Sequence, residues 1–271
     1  MPRFLFWNLN KKPLANTIAR LVAAHDIDVL MFAECDITPA TLLTTLNAEG
    51  TANYHYAPCR ECTKIHLYAR FSDQFLPIIL ETDRLTIRQM TLPNSLEILL
   101  AIVHVISKVR YSPQSQEEEA RELSRTIREA ENFVGHERTV LCGDLNMSPF
   151  EYGVVGAGTL NAAMTKQIAL RSARTVQHRS FRYFYNPMWA HFGDATDTAP
   201  GTLYYPRSDH FCYYWNMFDQ VLLRPELLSM WNADTLKILK SDGGHVFLDD
   251  IGRVTDDETS DYLPIVFDLS F

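Results

Sequence analysis

The chain has 271 residues, of which 46% are hydrophobic, and a formal net charge of −8. That much apolar material supports a sizeable buried core and excludes a disordered chain. The acidic balance excludes a generally basic surface that coats nucleic acid by counterion release, but a polyanionic substrate stays open wherever a bound divalent cation inverts the local field.

In chain order, Arg3 to Asn8 reads as a short strand, and Thr17 to His25 as a helix with Ile18, Leu21 and Val22 on one face. A buried strand follows from Asp28 to Ala33. Thr38-Pro39 has the form of an N-cap and first-turn proline, opening a helix through Leu42, Leu43 and Leu46 that stops near Gly50. Four β-type runs come next, Ile65 to Ala69, Leu76 to Leu80, Leu85 to Leu92 and Leu96 to Val105, more like a meander than a strict βαβ repeat. Ser112-Pro113 caps the clearest helix, with Ala120, Leu123, Ile127 and Ala130 on its apolar face and Glu117/Arg121 and Arg125/Glu129 pairs on the other.

The strand Thr139 to Cys142 ends in Gly143-Asp144-Leu145-Asn146. Between Ser148 and Ala199 the pattern is least regular, with helical spacing near Ala162 to Leu170 and an aromatic, basic run from Arg179 to Trp189. β-type runs return at Thr202 to Tyr205, Tyr213 to Leu223, Thr235 to Leu239 and Leu263 to Leu269. Without repeats, low-complexity tracts or a linker, one domain over residues 1–271 is the expectation, and the spacing by itself says α/β.

Five scattered cysteines suit reduced thiols, and the C-x-x-C of Cys59 and Cys62 lacks the second pair a zinc site needs. Met1 leads straight into an apolar strand pattern without a secretory signal, and no stretch is apolar for long enough to span a bilayer. The expectation is a cytoplasmic protein without membrane insertion.

Polar residues at the ends of apolar strands are held rigidly and open onto crevices, which makes Asn8, Glu34, Asp144, Asn146 and Asp261 candidates as a set. Each alone is equally an ordinary turn or surface residue. Phosphodiester hydrolysis needs a hard cation on oxygen ligands, a group to position water, and neutral donors to the phosphoryl oxygens. Glu34 and Asp261 suit the first need, Asp144 the second, and Asn8 with Asn146 the third.

Six segments in order then match a family pattern. They are Phe6-Trp7-Asn8-Leu9-Asn10, Asp28 to Glu34, Ala101-Ile102-Val103-His104, Val140 to Asn146, Trp215 to Leu222, and Ser260-Asp261-Tyr262-Leu263-Pro264-Ile265. Along nearly its whole length the chain resembles the endonuclease/exonuclease/phosphatase superfamily. The resemblance implies a four-layer α/β sandwich of two stacked mixed β-sheets flanked by helices. It implies Mg²⁺ or Mn²⁺ bound mainly through Glu34, with Asp261 and Asn8 close by. Asp144 would then orient or deprotonate the attacking water, Asn146 would steady the phosphoryl oxygens, and His104 would lie against the phosphate.

One position departs from the pattern. The family's last motif carries a histidine, paired with the aspartate matched by Asp219, where this chain has Tyr262. A phenol with pKa near 10 donates hydrogen bonds but is a poor base at neutral pH, and losing a general acid or base costs about a hundred- to ten-thousand-fold in rate. His210, in Ser208-Asp209-His210, and His245, after Gly243-Gly244, are candidates to compensate.

Nucleic acid is the expected substrate. Arg182, in the run Arg179 to Tyr185 with Arg171 and Arg174 before it, is a candidate phosphate contact, although the same aromatics suit a core equally. The alternatives are a pseudoenzyme that binds a phosphate-containing ligand or protein partner without cutting, and a phosphatase or phosphodiesterase acting on a small or lipid phosphate ester.

Overall fold

The computed structural model of the chain describes residues 2–48, 53–92, 95–194, 197–208, 210–255 and 259–270. Its first half runs β1 (Arg3–Asn8), α1 (Ala15–His25), β2 (Val29–Ala33), α2 (Pro39–Leu46), β3 (His55–Tyr56), β4 (Ile65–Ala69), β5 (Ile78–Glu81), β6 (Leu85–Thr91), β7 (Glu97–His104) and α3 (Pro113–Val134). The second half runs β8 (Thr139–Asp144), α4 (Tyr152–Val155), β9 (Ala162–Ala163), α5 (Lys166–Ala169), β10 (Ala173–Val176), β11 (Arg179–Arg182), β12 (Phe184–Tyr185), β13 (Leu203–Tyr205), β14 (Tyr214–Asn216), β15 (Asp219–Leu223), β16 (Lys237–Ile238) and β17 (Ile265–Asp268).

Two mixed sheets result, ordered β16-β17-β1-β2-β4-β3 and β5-β6-β7-β8-β15-β12-β9, while β10-β11 and β13-β14 are separate hairpins. Each large sheet is built around a parallel pair, β1 with β2 and β7 with β8. Strand alternation sorts their side chains. Ile98, Leu100 and Ile102 of β7, Val140 and Cys142 of β8, and Val221 and Leu223 of β15 share one apolar cluster with Phe4, Phe6 and Met31 of the first sheet. Leu99, Ala101, Val103, Leu141 and Leu222 point the other way, into a second cluster with Ala120, Leu123, Ile127 and Ala130 of α3. The two sheets therefore stack face to face with α3 outside the second. Ile18 and Leu21 of α1 and Leu42 and Leu46 of α2 join the cluster that holds the first sheet.

Helix α3 starts where Ser112 Oγ accepts from Ser115 N at 3.2 Å and ends at Gly135, whose φ of 78° is the left-handed conformation that stops helices. Its solvent face differs in detail from the expected pairing: Arg121 meets Glu118, and Arg125 meets Glu122 and Glu129. Near its end, buried Glu131 takes two hydrogen bonds from buried Arg224, at 2.7 and 3.2 Å.

Two further expectations are corrected. The run Tyr213 to Leu223 is two strands in different sheets, because the Phe218 and Asp219 amides turn to donate to Thr202 Oγ1 at 3.2 and 3.0 Å. The helical spacing of Ala162 to Leu170 yields only the short α5, since Ala162 and Ala163 pair in parallel with Phe184 and Tyr185. The expected stop at Gly50 lies outside the described residues. Among those residues no helix is long and apolar enough to cross a membrane.

Candidate active site

Following the inward-facing rows two residues at a time along β7, β8 and β15 leads from Ile102, Cys142 and Val221 to His104, Asp144 and Asp219. Register places these three side by side, His104 opposite Asp144 and Asp144 opposite Asp219, at one end of the central strands of the second sheet. Gly143 makes this crowding feasible, because a β-carbon there would collide with the Val103 carbonyl oxygen of the neighbouring strand. From the facing sheet, Asn8 at the end of β1 donates its amide to Asp144 Oδ2 at 2.9 Å.

Glu34 follows β2 directly and adopts φ 46°, a left-handed conformation uncommon for a residue with a long side chain. Its Oε1 is 3.5 Å from His104 Nε2, which also lies 3.8 Å from Asp144 Oδ2. Asn146, at φ 51°, donates its backbone amide to Asp144 Oδ1 at 2.7 Å and its side chain to Val105 O at 2.9 Å. Ser260 ties in the last motif, donating to Asn8 O at 2.6 Å and accepting from Tyr262 N at 3.1 Å. Tyr262 is held further by Trp7 Nε1, which donates to its carbonyl at 2.8 Å.

Burial governs the ionisation of this cluster. Asp144 is pushed up to about 6 by desolvation, against the stabilising Asn146 amide, Asn8 side chain and Tyr262 hydroxyl. Asp219 is raised well above the ordinary range by burial and then by the charge of Asp144, against the backbone amide of Asn8, and among the described residues no side chain hydrogen-bonds to its buried carboxyl oxygens. Burial also raises Asp261 and Tyr262 and lowers His104 to about 4, so His104 is neutral at physiological pH.

Among the described residues no three His, Cys, Asp or Glu side chains converge closely enough to form a metal cluster. A Mg²⁺-type ion asks for less, one or two carboxylates and several retained waters. Glu34 and Asp261, with the amide oxygens of Asn8 and Asn146 nearby, form an all-oxygen donor set that suits a hard cation. The negative field points the same way: among the described residues no lysine or arginine is paired with Glu34, Asp144, Asp219 or Asp261.

The structure thus gathers Asn8, Glu34, His104, Asp144, Asn146, Asp219, Asp261 and Tyr262. It does not bring Arg182. That side chain pairs with Glu137 at 2.8 Å and Glu131 at 3.3 Å, near the end of α3, whereas the site lies by the start of that helix. Phe184 and Tyr185 of the same run are buried. His245 sits over Asp242, 3.9 Å away, which Arg20 of α1 also holds. His210 lies in the connection between β13 and β14, ahead of the strand that carries Asp219, and Asp209 beside it falls outside the described residues. Supporting residues that sequence reasoning missed are Thr202, which fixes the Asp219 amide, and buried Gln116, whose amide donates to Ile106 O and Asn146 O at 2.9 and 3.0 Å. Neither stands out in the sequence, because each acts through loop carbonyls or amides far away along the chain.

Residues 5–242 match the model of the Endonuclease/Exonuclease/phosphatase family. Among solved structures, the chain resembles the human Nocturnin catalytic domain with TM-score 0.59 and 14% identity, over 100% of this chain and 94% of that one. A family protein from Leptotrichia buccalis gives 0.58 and 12%, with both chains fully covered. A 3′ phosphatase from Neisseria bound to a product DNA hairpin gives 0.57 and 12%, again over both full chains. No curated protein matches in sequence. At such identities the structural likeness speaks for the fold, and the sequence match then extends from β1 to beyond β16: the chain belongs to the endonuclease/exonuclease/phosphatase family, whose members hydrolyse phosphate esters.

Proposed function

We propose that this protein is a divalent-cation-dependent phosphodiester hydrolase acting on nucleic acid. The observation that carries this reading is the alignment of His104, Asp144 and Asp219 on three adjacent strands, with Glu34 close to His104 and Asn8 facing from the other sheet. Glu34 and Asp261 would hold Mg²⁺ or Mn²⁺. When bound, such an ion supplies charge neutralisation at the phosphoryl oxygens.

Asp144 takes the proton of the attacking water. Its raised pKa of about 6 makes it a stronger base than an ordinary aspartate while leaving it ionised near neutrality. Asn146 spends one amide hydrogen on Val105 O, which leaves the second for a phosphoryl oxygen. Neutral His104 serves as a hydrogen-bond donor, and the Tyr262 hydroxyl steadies the carboxylate of Asp144.

A second reading, a non-cleaving binder of phosphate-containing ligands, is favoured by one observation: the side chain facing Asp144 from the last motif is a buried phenol, which cannot shuttle a proton at neutral pH. Cleavage of labelled single- and double-stranded DNA and RNA in Mg²⁺ and Mn²⁺ separates the readings, comparing wild type, Glu34→Gln and Tyr262→His. Wild-type cleavage lost in Glu34→Gln supports the hydrolase. Cleavage only by Tyr262→His supports the binder. Inactivity of all three moves the search to small phosphodiesters and phosphomonoesters.

A further inference from the structure

The candidate site opens sideways into a groove of about 360 Å³ whose inner end is formed by Asn146, Asp261 and Tyr262. The outer walls come from two places. The β13–β14 hairpin and its connection contribute Tyr205, Arg207, Phe211 and Tyr213; the segments after β7 and before β15 contribute Lys108 and Phe218. Tyr205, Phe211, Tyr213 and Phe218 line these walls beside Val109 and Leu203, and Phe211 and Tyr213 are open to solvent at 69% and 53% exposure. Phe211 packs edge-on against Tyr213 with ring centres 4.8 Å apart, and Tyr213 in turn lies 5.5 Å from Phe150. Rings of this size left exposed beside a polar centre mark a surface built for contact.

Two cations line the groove, and each lies against an aromatic ring. The Lys108 ammonium lies 5.1 Å from the Phe218 ring centre and pairs with Glu151, and the Arg207 guanidinium lies 4.9 Å from the Tyr205 ring centre. This lining discriminates among phosphate esters. A multiply phosphorylated sugar asks for several free cations, and a lipid tail for walls more aliphatic than Val109 and Leu203 supply. Flat π-faces with neutral amides at Asn146 and Asn216 instead suit an uncharged planar ring joined to a single phosphate at the inner end.

We infer that this groove is a subsite for an unpaired nucleobase adjoining the scissile phosphate, stacked by Phe211 and Tyr213, so that the protein prefers single-stranded nucleic acid or frayed ends to intact duplex. The inference rests on the nucleic-acid reading above and names the substrate form within it. A net charge of −8 provides little general attraction to a duplex, which leaves stacking as the term that discriminates.

The test is fluorescence anisotropy, in EDTA and again in Ca²⁺, with three probes: labelled single-stranded oligothymidylate, the same length of abasic sugar-phosphate backbone, and the duplex with oligodeoxyadenylate. Wild type should bind the single strand more tightly than either other probe. Phe211→Ala and Tyr213→Ala should each weaken that binding by roughly tenfold, Phe211→Leu should weaken it as much, and Phe211→Tyr should restore it. Unchanged melting temperatures would show that these exposed substitutions leave the fold intact. Equal affinity for the abasic backbone, duplex preference, indifference to the ring variants or no binding of any probe overturns the inference. Ring-dependent binding without cleavage in Mg²⁺ or Mn²⁺ would sink the hydrolase reading alone; cleavage that ignores the rings would sink the subsite alone.

Discussion

Asp144 and Asp219 are register partners on the antiparallel strands β8 and β15, both fully buried, with no cation paired to either among the described residues. Like charges directly opposite one another on a sheet repel. An acid whose folded pKa is raised contributes stability that is complete below its unfolded value and is lost as pH rises through the folded one. Asp219 is raised by burial first and Asp144 second. In EDTA, Asp219→Asn should therefore match wild type in urea midpoint at about pH 4 and exceed it at about pH 8. A variant less stable than wild type at the higher pH would refute the repulsion.

His104 works in the opposite sense. Burial lowers it to about 4, so its contribution is present above its ordinary 6.5 and is lost as pH falls through 4. Asp144, raised to about 6, loses its contribution as pH rises through that value. The two windows overlap and offset one another in wild type. His104→Gln should leave Asp144 unopposed, giving a steeper fall in metal-free stability between about pH 4 and 6.5 than wild type shows. Parallel stability profiles would contradict this.

Tyr262 presents its hydroxyl to Asp144, and among the described residues no side chain hydrogen-bonds to Asp219, so the position retains the acceptor an imidazole would use. Tyr262→His should raise kcat by about a hundredfold or more, the typical contribution of a general acid or base. Tyr262→Phe removes one interaction that holds Asp144 ionised, and the acid limb of the pH–rate profile should move to higher pH. An unmoved limb would show that the phenol does not tune Asp144.

Glu34 adopts φ 46°, which costs a non-glycine residue on the order of 1 kcal/mol. Glu34→Gly should raise metal-free stability by about that amount while abolishing metal-dependent turnover. Calorimetry and a cleavage assay on the same preparation check both halves. A destabilised glycine variant would mean that the side chain, not the backbone, dominates there.

Arg182 is held by two glutamates near the end of α3, away from the candidate site. Arg182→Ala should cost about 1 kcal/mol through its lost pairs with Glu131 and Glu137. Buried Glu131 keeps Arg224, so the loss stays small, and KM should not change. A raised KM with unchanged stability would return Arg182 to the substrate path.

Much of this was legible in the sequence because it depends on local pattern. The apolar runs of β1, β2, β4 and β8 and the Ser112-Pro113 cap of α3 are short-range signals, and the polar residues that end the strands lie together in the candidate site. The register was not legible: His104, Asp144 and Asp219 become neighbours only through pairings between distant segments. The break within Tyr213 to Leu223 was hidden for the same reason, since Thr202, not a local turn residue, bends the chain there. That Arg182 stands apart from the candidate site was not legible either, since a basic, aromatic run looks alike whether its arginines meet phosphate or meet the acids of a neighbouring helix.

Gln116, near the start of α3, grips the carbonyls of Ile106 and Asn146, while Glu131, near its end, grips Arg224 just beyond β15. One 22-residue helix thus clamps the segment after His104, the segment after Asp144 and the far end of the strand that carries Asp219. Loops that carry chemistry commonly sit at the low-stability end of a fold and open by themselves. Tied to a long helix, these segments should exchange their amides only as that helix unfolds, which would hold the candidate groups at fixed spacings and leave any accommodation of differently shaped ligands to the β13–β14 hairpin.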